Sequence, residues 1–177
     1  MRISRIGMLL VVAGLTLLGP TTTALADHDH PPGPPWTPYR SQPFDAPPGA
    51  RCSFGVRGEI LRDEELSRTL TTYPDGSIHL QEVIGPLVFR FTNTSTGRSV
   101  VRNLDGTGLF DRGTDGSFAL FLVKGHMGAG LASTDPGGPA LLYFTGTGHT
   151  LVQAADGSRT VIYGKGPVEN VCNALAR

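Results

Sequence analysis

The sequence predicts an all-β domain, a small antiparallel barrel of about eight strands, preceded by a proline-rich N-terminal linker and followed by a short C-terminal helix. Three observations predict it. Glycine supplies 24 of 177 residues, about twice ordinary usage, and much of it stands in turn-forming dipeptides between short apolar stretches. Those stretches alternate apolar and polar residues with the period of two that a half-buried strand requires. The tripeptide Asp-Gly-Ser recurs at Asp75, Asp115 and Asp156, a spacing that suits a meander of hairpins; a propeller needs more blades than the chain has room for. Closing such a meander on itself removes the exposed edges that a strand-rich protein must otherwise protect.

The first element in order is an export signal over residues 1–26. Arg2 and Arg5 form a positive n-region, and residues 6–18 form an apolar core shorter than the roughly 20 residues that span a bilayer. Ala24-Leu25-Ala26 is an A-x-A cleavage site. The expected mature chain starts at Asp27 and is secreted, with no membrane attachment after cleavage. Removing 26 of 177 residues leaves 151, the size of one domain with a sizeable core. The 15 basic and 15 acidic residues become 13 against 15 once Arg2 and Arg5 leave with the signal. That balance offers no electrostatic footprint for a nucleic-acid partner.

Residues 27–49 read as a linker. Eight prolines fall between Pro31 and Pro48, and proline has no amide hydrogen for a sheet ladder, so polyproline II or disorder is the expected state. Trp36, Tyr39 and Phe44 interrupt the prolines. They are expected to fold back onto the domain; the alternative is that they meet a ligand.

The β domain is expected over residues 50–177. Phe54, Val56, Gly58 and Ile60 alternate with polar neighbours as a first strand. Residues 66–72 and 78–83 form a hairpin around Tyr73-Pro74-Asp75-Gly76, where Asp-Gly favours a type I′ turn with positive φ at both central positions. Strands follow at 87–92 and 99–102, parted by Asn93-Thr94-Ser95-Thr96-Gly97. Residues 118–123 are apolar on both faces and predict a central strand. Residues 141–145 and 150–153 predict two more, and Asp156-Gly157 turns the chain into 159–163. The closing stretch, 168–175, has the length of about two helical turns.

Cys52 and Cys172 are the only cysteines and bracket almost the whole β-rich region. An even pair in an exported chain reads as a disulfide. Two buried thiols or a metal pair are the alternatives, although the pair lacks zinc-type spacing. In a closed barrel the two ends of the strip meet and bring the Cα atoms within the about 7 Å a disulfide needs. In an open sheet with its ends at opposite edges the same cysteines would lie far apart.

Four segments carry a resemblance: Cys52-Ser53-Phe54, Tyr73-Pro74-Asp75-Gly76-Ser77, Phe91-Thr92-Asn93 with Thr96-Gly97-Arg98-Ser99-Val100, and Val171-Cys172-Asn173-Ala174-Leu175. Together they resemble a family of small uncharacterised secreted proteins of high-GC Gram-positive bacteria, over the part that follows the proline-rich stretch. The fold this resemblance implies is similar to the calycin-like and allene-oxide-cyclase-like β-barrels. Its motifs are turns and a cysteine pair, so it transfers no catalytic residue.

Candidate chemistry is sparse. No G-x-S-x-G elbow is present, and a Ser-His-Asp triad could draw on His79, His126 or His149 without the sequence selecting one. Residues 125–130, Gly125-His126-Met127-Gly128-Ala129-Gly130, look like a phosphate loop but lack the following helix whose N-terminus would face the anion. Residues 125–139 are therefore expected to be a loop at the rim of the barrel, with His126 and Met127 as candidate ligand contacts. Glu59, Glu64, Glu65 and Glu82 could pair as glycosidase acids, against the ordinary reading of solvent-facing strand residues. His28 and His30, in Asp27-His28-Asp29-His30, are weak candidates for a metal such as Cu²⁺ at the new N-terminus. No cofactor is expected. The leading functional reading is a non-enzymatic secreted barrel that binds a small apolar ligand or a surface partner. The alternative is an enzyme, cyclase-like or a small hydrolase, working in the barrel interior. A buried polar cluster inside would favour the enzyme.

Overall fold

The structure, a computed structural model, describes residues 33–177; the expected export signal and His28 and His30 lie outside them. Alternating sequence becomes strand almost throughout. In chain order the strands are β1 (Thr37–Pro38), β2 (Phe44–Ala46), β3 (Val56–Asp63), β4 (Leu66–Thr72), β5 (Ile78–Gly85), β6 (Leu87–Asn93), β7 (Ser99–Asn103), β8 (Gly106–Arg112), β9 (Phe118–Leu131), β10 (Ala140–Gln153), β11 (Arg159–Ile162) and β12 (Val168–Asn170). A short helix, α1 (Val171–Ala176), ends the chain.

The three Asp-Gly-Ser segments reverse the chain between β4 and β5, β8 and β9, and β10 and β11. In the first, Gly76 N donates to Tyr73 O at 2.9 Å and Tyr73 N donates to Ser77 O at 2.9 Å. Positive φ occurs only at the glycines, 86° at Gly76, 81° at Gly116 and 84° at Gly157. These are three-residue loops, a type I turn followed by a left-handed glycine, and not the expected two-residue type I′ turns. The aspartate explains the preference. Asp75 Oδ1 accepts both the Ser77 amide (2.9 Å) and the Ser77 hydroxyl (2.6 Å), and Asp115 and Asp156 repeat the pattern with Ser117 and Ser158. The serine hydroxyl and then the serine amide hold all three carboxyls below the usual aspartate range.

All sheet pairing is antiparallel. The large sheet runs β1-β4-β5-β8-β9-β10-β11, with β12 also on β10; the small sheet runs β2-β3-β6-β7. The two sheets share one meander. Near the hairpin turns β4, β5, β8, β9 and β10 pair continuously, with Gly108 opposite both Val83 and Val123. Beyond Pro86 and Asp105 the meander forks. β6 and β7 leave with β3 into the small sheet, while the second half of β9 continues with β10 alone. Asp105 satisfies the donors released by the split, as buried amides require. Its carboxylate accepts the Leu87 amide at 2.8 Å, and its carbonyl accepts the His126 amide at 3.0 Å. No ladder among the described residues closes either sheet, so the pairing itself is that of two open sheets and not the expected closed barrel.

Four other differences from the sequence reading have physical causes. Part of the proline-rich stretch forms strands: Thr37 and Pro38 pair with Ser67 and Leu66, and Phe44–Ala46 pairs with β3. Trp36 lies 4.5 Å from the Arg68 guanidinium, and Phe44 packs against Phe89 and Phe91. The prolines permit this because both strands are short and lie at sheet edges. Residues 125–131, expected as loop, extend β9 without a break and leave only 132–139 as its connection to β10. β10 likewise runs through Gly146-Thr147-Gly148 by means of a bulge between Thr147 and His149. β8 was not foreseen at all, because Gly106 and Gly108 dilute its alternation.

Two cores result. One, within the fork, holds Val56, Leu87, Phe89, Phe91, Leu141, Val171, Leu175 and the disulfide. The other lies on the opposite face of β9 and β10 and holds Val123, Met127, Leu131, Phe144 and Leu151. Cys52 and Cys172 are bonded, with Cα atoms 5.5 Å apart. They meet because α1 packs against β10 of the large sheet and β6 and β7 of the small one. Asn170 caps α1 through the Cys172 amide at 3.0 Å. Arg98 of the β6–β7 turn then takes the Ala174 and Arg177 carbonyls at 2.8 and 3.0 Å.

Candidate functional site

The fork leaves space that side chains do not fill. Between the small sheet and the second half of β9 and β10 lies a cavity of about 510 Å³, within the range of small-molecule sites. Its apolar wall is built by strand alternation: Leu87, Phe89 and Phe91 project from one face of β6, Leu141 from β10 and Leu104 from the fork itself. Residues 41–47 run across its mouth and contribute Phe44 and Asp45. Arg51 and Arg159 stand at its polar end.

Gly128 and Gly130 of β9 form the floor. A Cβ at Gly130 would come within 2.5 Å of Arg51 Nε, so glycine there lets the Arg51 side chain lie across the strand. Arg159 reaches the same residue, Nη1 donating to the Gly130 carbonyl at 3.4 Å. Partial burial and the neighbouring Arg159 charge lower the Arg51 pKa, with Asp135 opposing them. Asp135 is buried, which alone would raise its pKa; the amides of Ala132 (2.6 Å) and Arg159 (2.9 Å) and the two arginines outweigh that and keep it below the usual range. The two arginines also border a polar recess of about 410 Å³ formed with the 132–135 and 156–158 loops.

A smaller cavity of about 180 Å³ adjoins the first across Ser41, Leu87, Leu104 and Gly128. Its polar feature is Glu65, 9 % exposed, which accepts the Ser41 hydroxyl at 2.6 Å. Burial pushes this carboxyl above the ordinary glutamate range, and the Ser41 hydrogen bond opposes the shift only in part.

His126 and Met127 both line this smaller cavity, but from a strand and not from a loop. Met127 is buried in the second core. The His126 ring lies 5.9 Å from that of Tyr143, and its Nδ1 is buried without a hydrogen-bond partner. The other histidines lie elsewhere. His79 Nε2 is 3.3 Å from Asp111 Oδ1 at the surface. His149, 1 % exposed, accepts the Gly164 amide on Nδ1 at 3.2 Å and packs on Phe144. Among the described residues no serine hydroxyl is hydrogen-bonded to a histidine, so no triad is assembled. Glu64 pairs with Arg62 and Glu82 with Arg68, at 2.7 and 2.6 Å, Glu59 sits opposite Arg90, and only Glu65 of the four turns inward. Among the described residues no cluster of metal-ligating side chains occurs and no helix is long and apolar enough to cross a membrane. The Arg51–Arg159 arrangement had no sequence signature, because the two residues share only tertiary proximity. Comparison with protein-family models, curated proteins and solved structures found no match for this chain, so its fork and cavity stand on their own geometry.

Proposed function

We propose that the protein is a secreted, non-enzymatic binding protein that holds a small apolar ligand in the larger cavity. The two sheets act as a barrel-like cup whose mouth is strapped by residues 41–47. The observation that carries this reading is a space of about 510 Å³ walled by Phe44, Leu87, Phe89, Phe91, Leu104 and Leu141, so that the first core borders a cavity on aromatic and aliphatic side chains. Apolar surface of that kind gains free energy by covering itself with a ligand. Export agrees with the leader-like residues 1–26 and with the Cys52–Cys172 disulfide, a bond that persists in oxidising compartments. The resemblance to small uncharacterised secreted proteins of high-GC Gram-positive bacteria points the same way. The enzymatic alternative would rest on Glu65, the buried carboxyl that lines the smaller cavity.

The test is a titration of the oxidised protein with N-phenyl-1-naphthylamine, a neutral apolar probe that fluoresces when shielded from water. Saturable one-to-one binding is expected, and Leu141→Trp, which fills the cavity, should weaken it at least tenfold. Absence of saturable binding to a folded protein overturns the reading. Mass spectrometry of the exported chain should show Asp27 as the first residue; retention of the apolar leader removes the secreted assignment.

A further inference from the structure

We infer that the ligand of the large cavity is an amphiphile with one carboxylate, whose apolar body lies against the phenylalanines and whose head sits between Arg51 and Arg159. The inference rests on the binding reading above and adds the chemical class.

Two arginine side chains converge on Gly130 in the wall of a mostly apolar cavity, whose other polar side chains are Ser41, Gln42 and Asp45. Both arginines are half-buried, and bringing like charges together where water is partly excluded costs free energy that an anion joining them offsets. The protein does not provide that anion by direct contact: none of the ion pairs formed among the described residues includes either arginine. The nearby carboxylates are already occupied. Both oxygens of Asp135 accept backbone amides, and Asp45, on the same cavity wall, is held by Arg57 Nε at 3.0 Å. Arg51 Nη1 donates to the Ala50 carbonyl at 3.1 Å, and Arg159 uses Nε on Gln153 (3.3 Å) and Nη1 on Gly130. The second terminal nitrogen of each guanidinium makes no hydrogen bond among the described residues. A carboxylate has two oxygens and a planar shape that matches such paired donors. Its charge also fits the site, where Arg51 and Arg159 have Asp135 as their nearby carboxylate while Asp45 is paired with Arg57 and Asp156 with Ser158. A neutral head leaves the arginines unmatched, and a cationic head is repelled.

The experiment compares three probes with the same ten-carbon chain, decanoate, 1-decanol and decyltrimethylammonium, by isothermal titration calorimetry at low salt. Wild type is expected to bind decanoate at least tenfold more tightly than decanol and the cation more weakly than either. Arg51→Met and, separately, Arg159→Met keep side-chain bulk and remove charge; each should reduce decanoate affinity at least fivefold while leaving decanol affinity within twofold. Arg51→Lys should retain part of the preference. Circular dichroism identifies any variant that has unfolded, and the other variant then decides. Equal binding of decanoate and decanol, or a preference that survives both methionine variants, overturns the carboxylate assignment while leaving the apolar cavity intact. Failure of all three probes to bind overturns the binding reading itself and this inference with it.

Discussion

The two halves of the meander are built on different physics. Toward the hairpin turns, β4 with β5, β8 with β9 and β10 with β11 pair across loops whose aspartate, glycine and serine supply the reversal locally, and β5 with β8 joins these hairpins. Beyond the fork, the small sheet is assembled from distant parts: the strap at Phe44, the helix at Val171–Ala176 and a disulfide spanning 120 residues. The hairpin half needs little besides its own turns. The forked half is held by contacts far apart in sequence, and there the cavity opens. The proposed binding cavity lies where local structure leaves a choice.

That contrast can be broken, beginning with the disulfide. Cys52→Ser with Cys172→Ser releases a loop closed over a separation of 120 residues, and the chain-entropy model puts the loss near 4–5 kcal/mol. Urea unfolding should show the lowered stability, while far-ultraviolet circular dichroism below the transition retains the strand signal. Collapse of the whole strand signal in native buffer would mean that the hairpin half also depends on the bond.

Next comes the strap. Phe44→Ala removes a ring that packs on Phe89 and Phe91 at centroid distances of 6.4 and 6.3 Å, and truncating an aromatic at a core costs about 3 kcal/mol. Leu122→Ala, on the 40 % exposed face of β9 in the hairpin half, should change stability by less than about 0.5 kcal/mol. Equal effects at the two sites would show that the strap is not part of the forked core.

A smaller effect is expected at the clasp between β7 and β12. Arg102 Nε and Nη2 donate to the two carboxylate oxygens of Glu169 at 2.7 and 2.5 Å. The pair is partly solvated, so Arg102→Met should cost about 1 kcal/mol, with the wild-type advantage shrinking in 1 M salt. A salt-independent loss would assign the effect to packing of the arginine stem on Tyr143 instead.

The turns provide the smallest and most diagnostic effect. Asp75, Asp115 and Asp156 titrate below their unfolded range, so each contributes stability that is present above the unfolded aspartate pKa of about 3.9. That contribution is lost as pH falls through the lower folded value. The triple Asp→Asn variant should therefore lose less stability than wild type between pH 5 and pH 2, measured as urea midpoint. Parallel pH profiles would remove the serine contacts from the account of these turns.

How far the molecule could be read from its residues follows the same division. The hairpins were legible because Asp-Gly-Ser carries its own hydrogen bonds within three residues, even though the turn proved to be a type I turn with a left-handed glycine. The cysteine pair was legible as a bond, but the route of approach was not: Cys172 is brought to Cys52 by α1 packing against β10, β6 and β7, and no ladder among the described residues closes a barrel. His126 and Met127 were placed beside a cavity for a reason that did not hold, since their segment is strand.

By itself the sequence determined most of the strands, the Asp-Gly-Ser reversal points and the partner of Cys52, because alternation, turn chemistry and a solitary pair of thiols act over a few residues or admit a single pairing. Only the tertiary structure decided where the meander forks, that a proline-rich segment supplies two edge strands, and that Arg51 meets Arg159 over Gly130. Those outcomes depend on which surfaces are left to bury once the hairpins have formed. Such a choice belongs to the packing of the whole chain and leaves no period or spacing in the residues that make it.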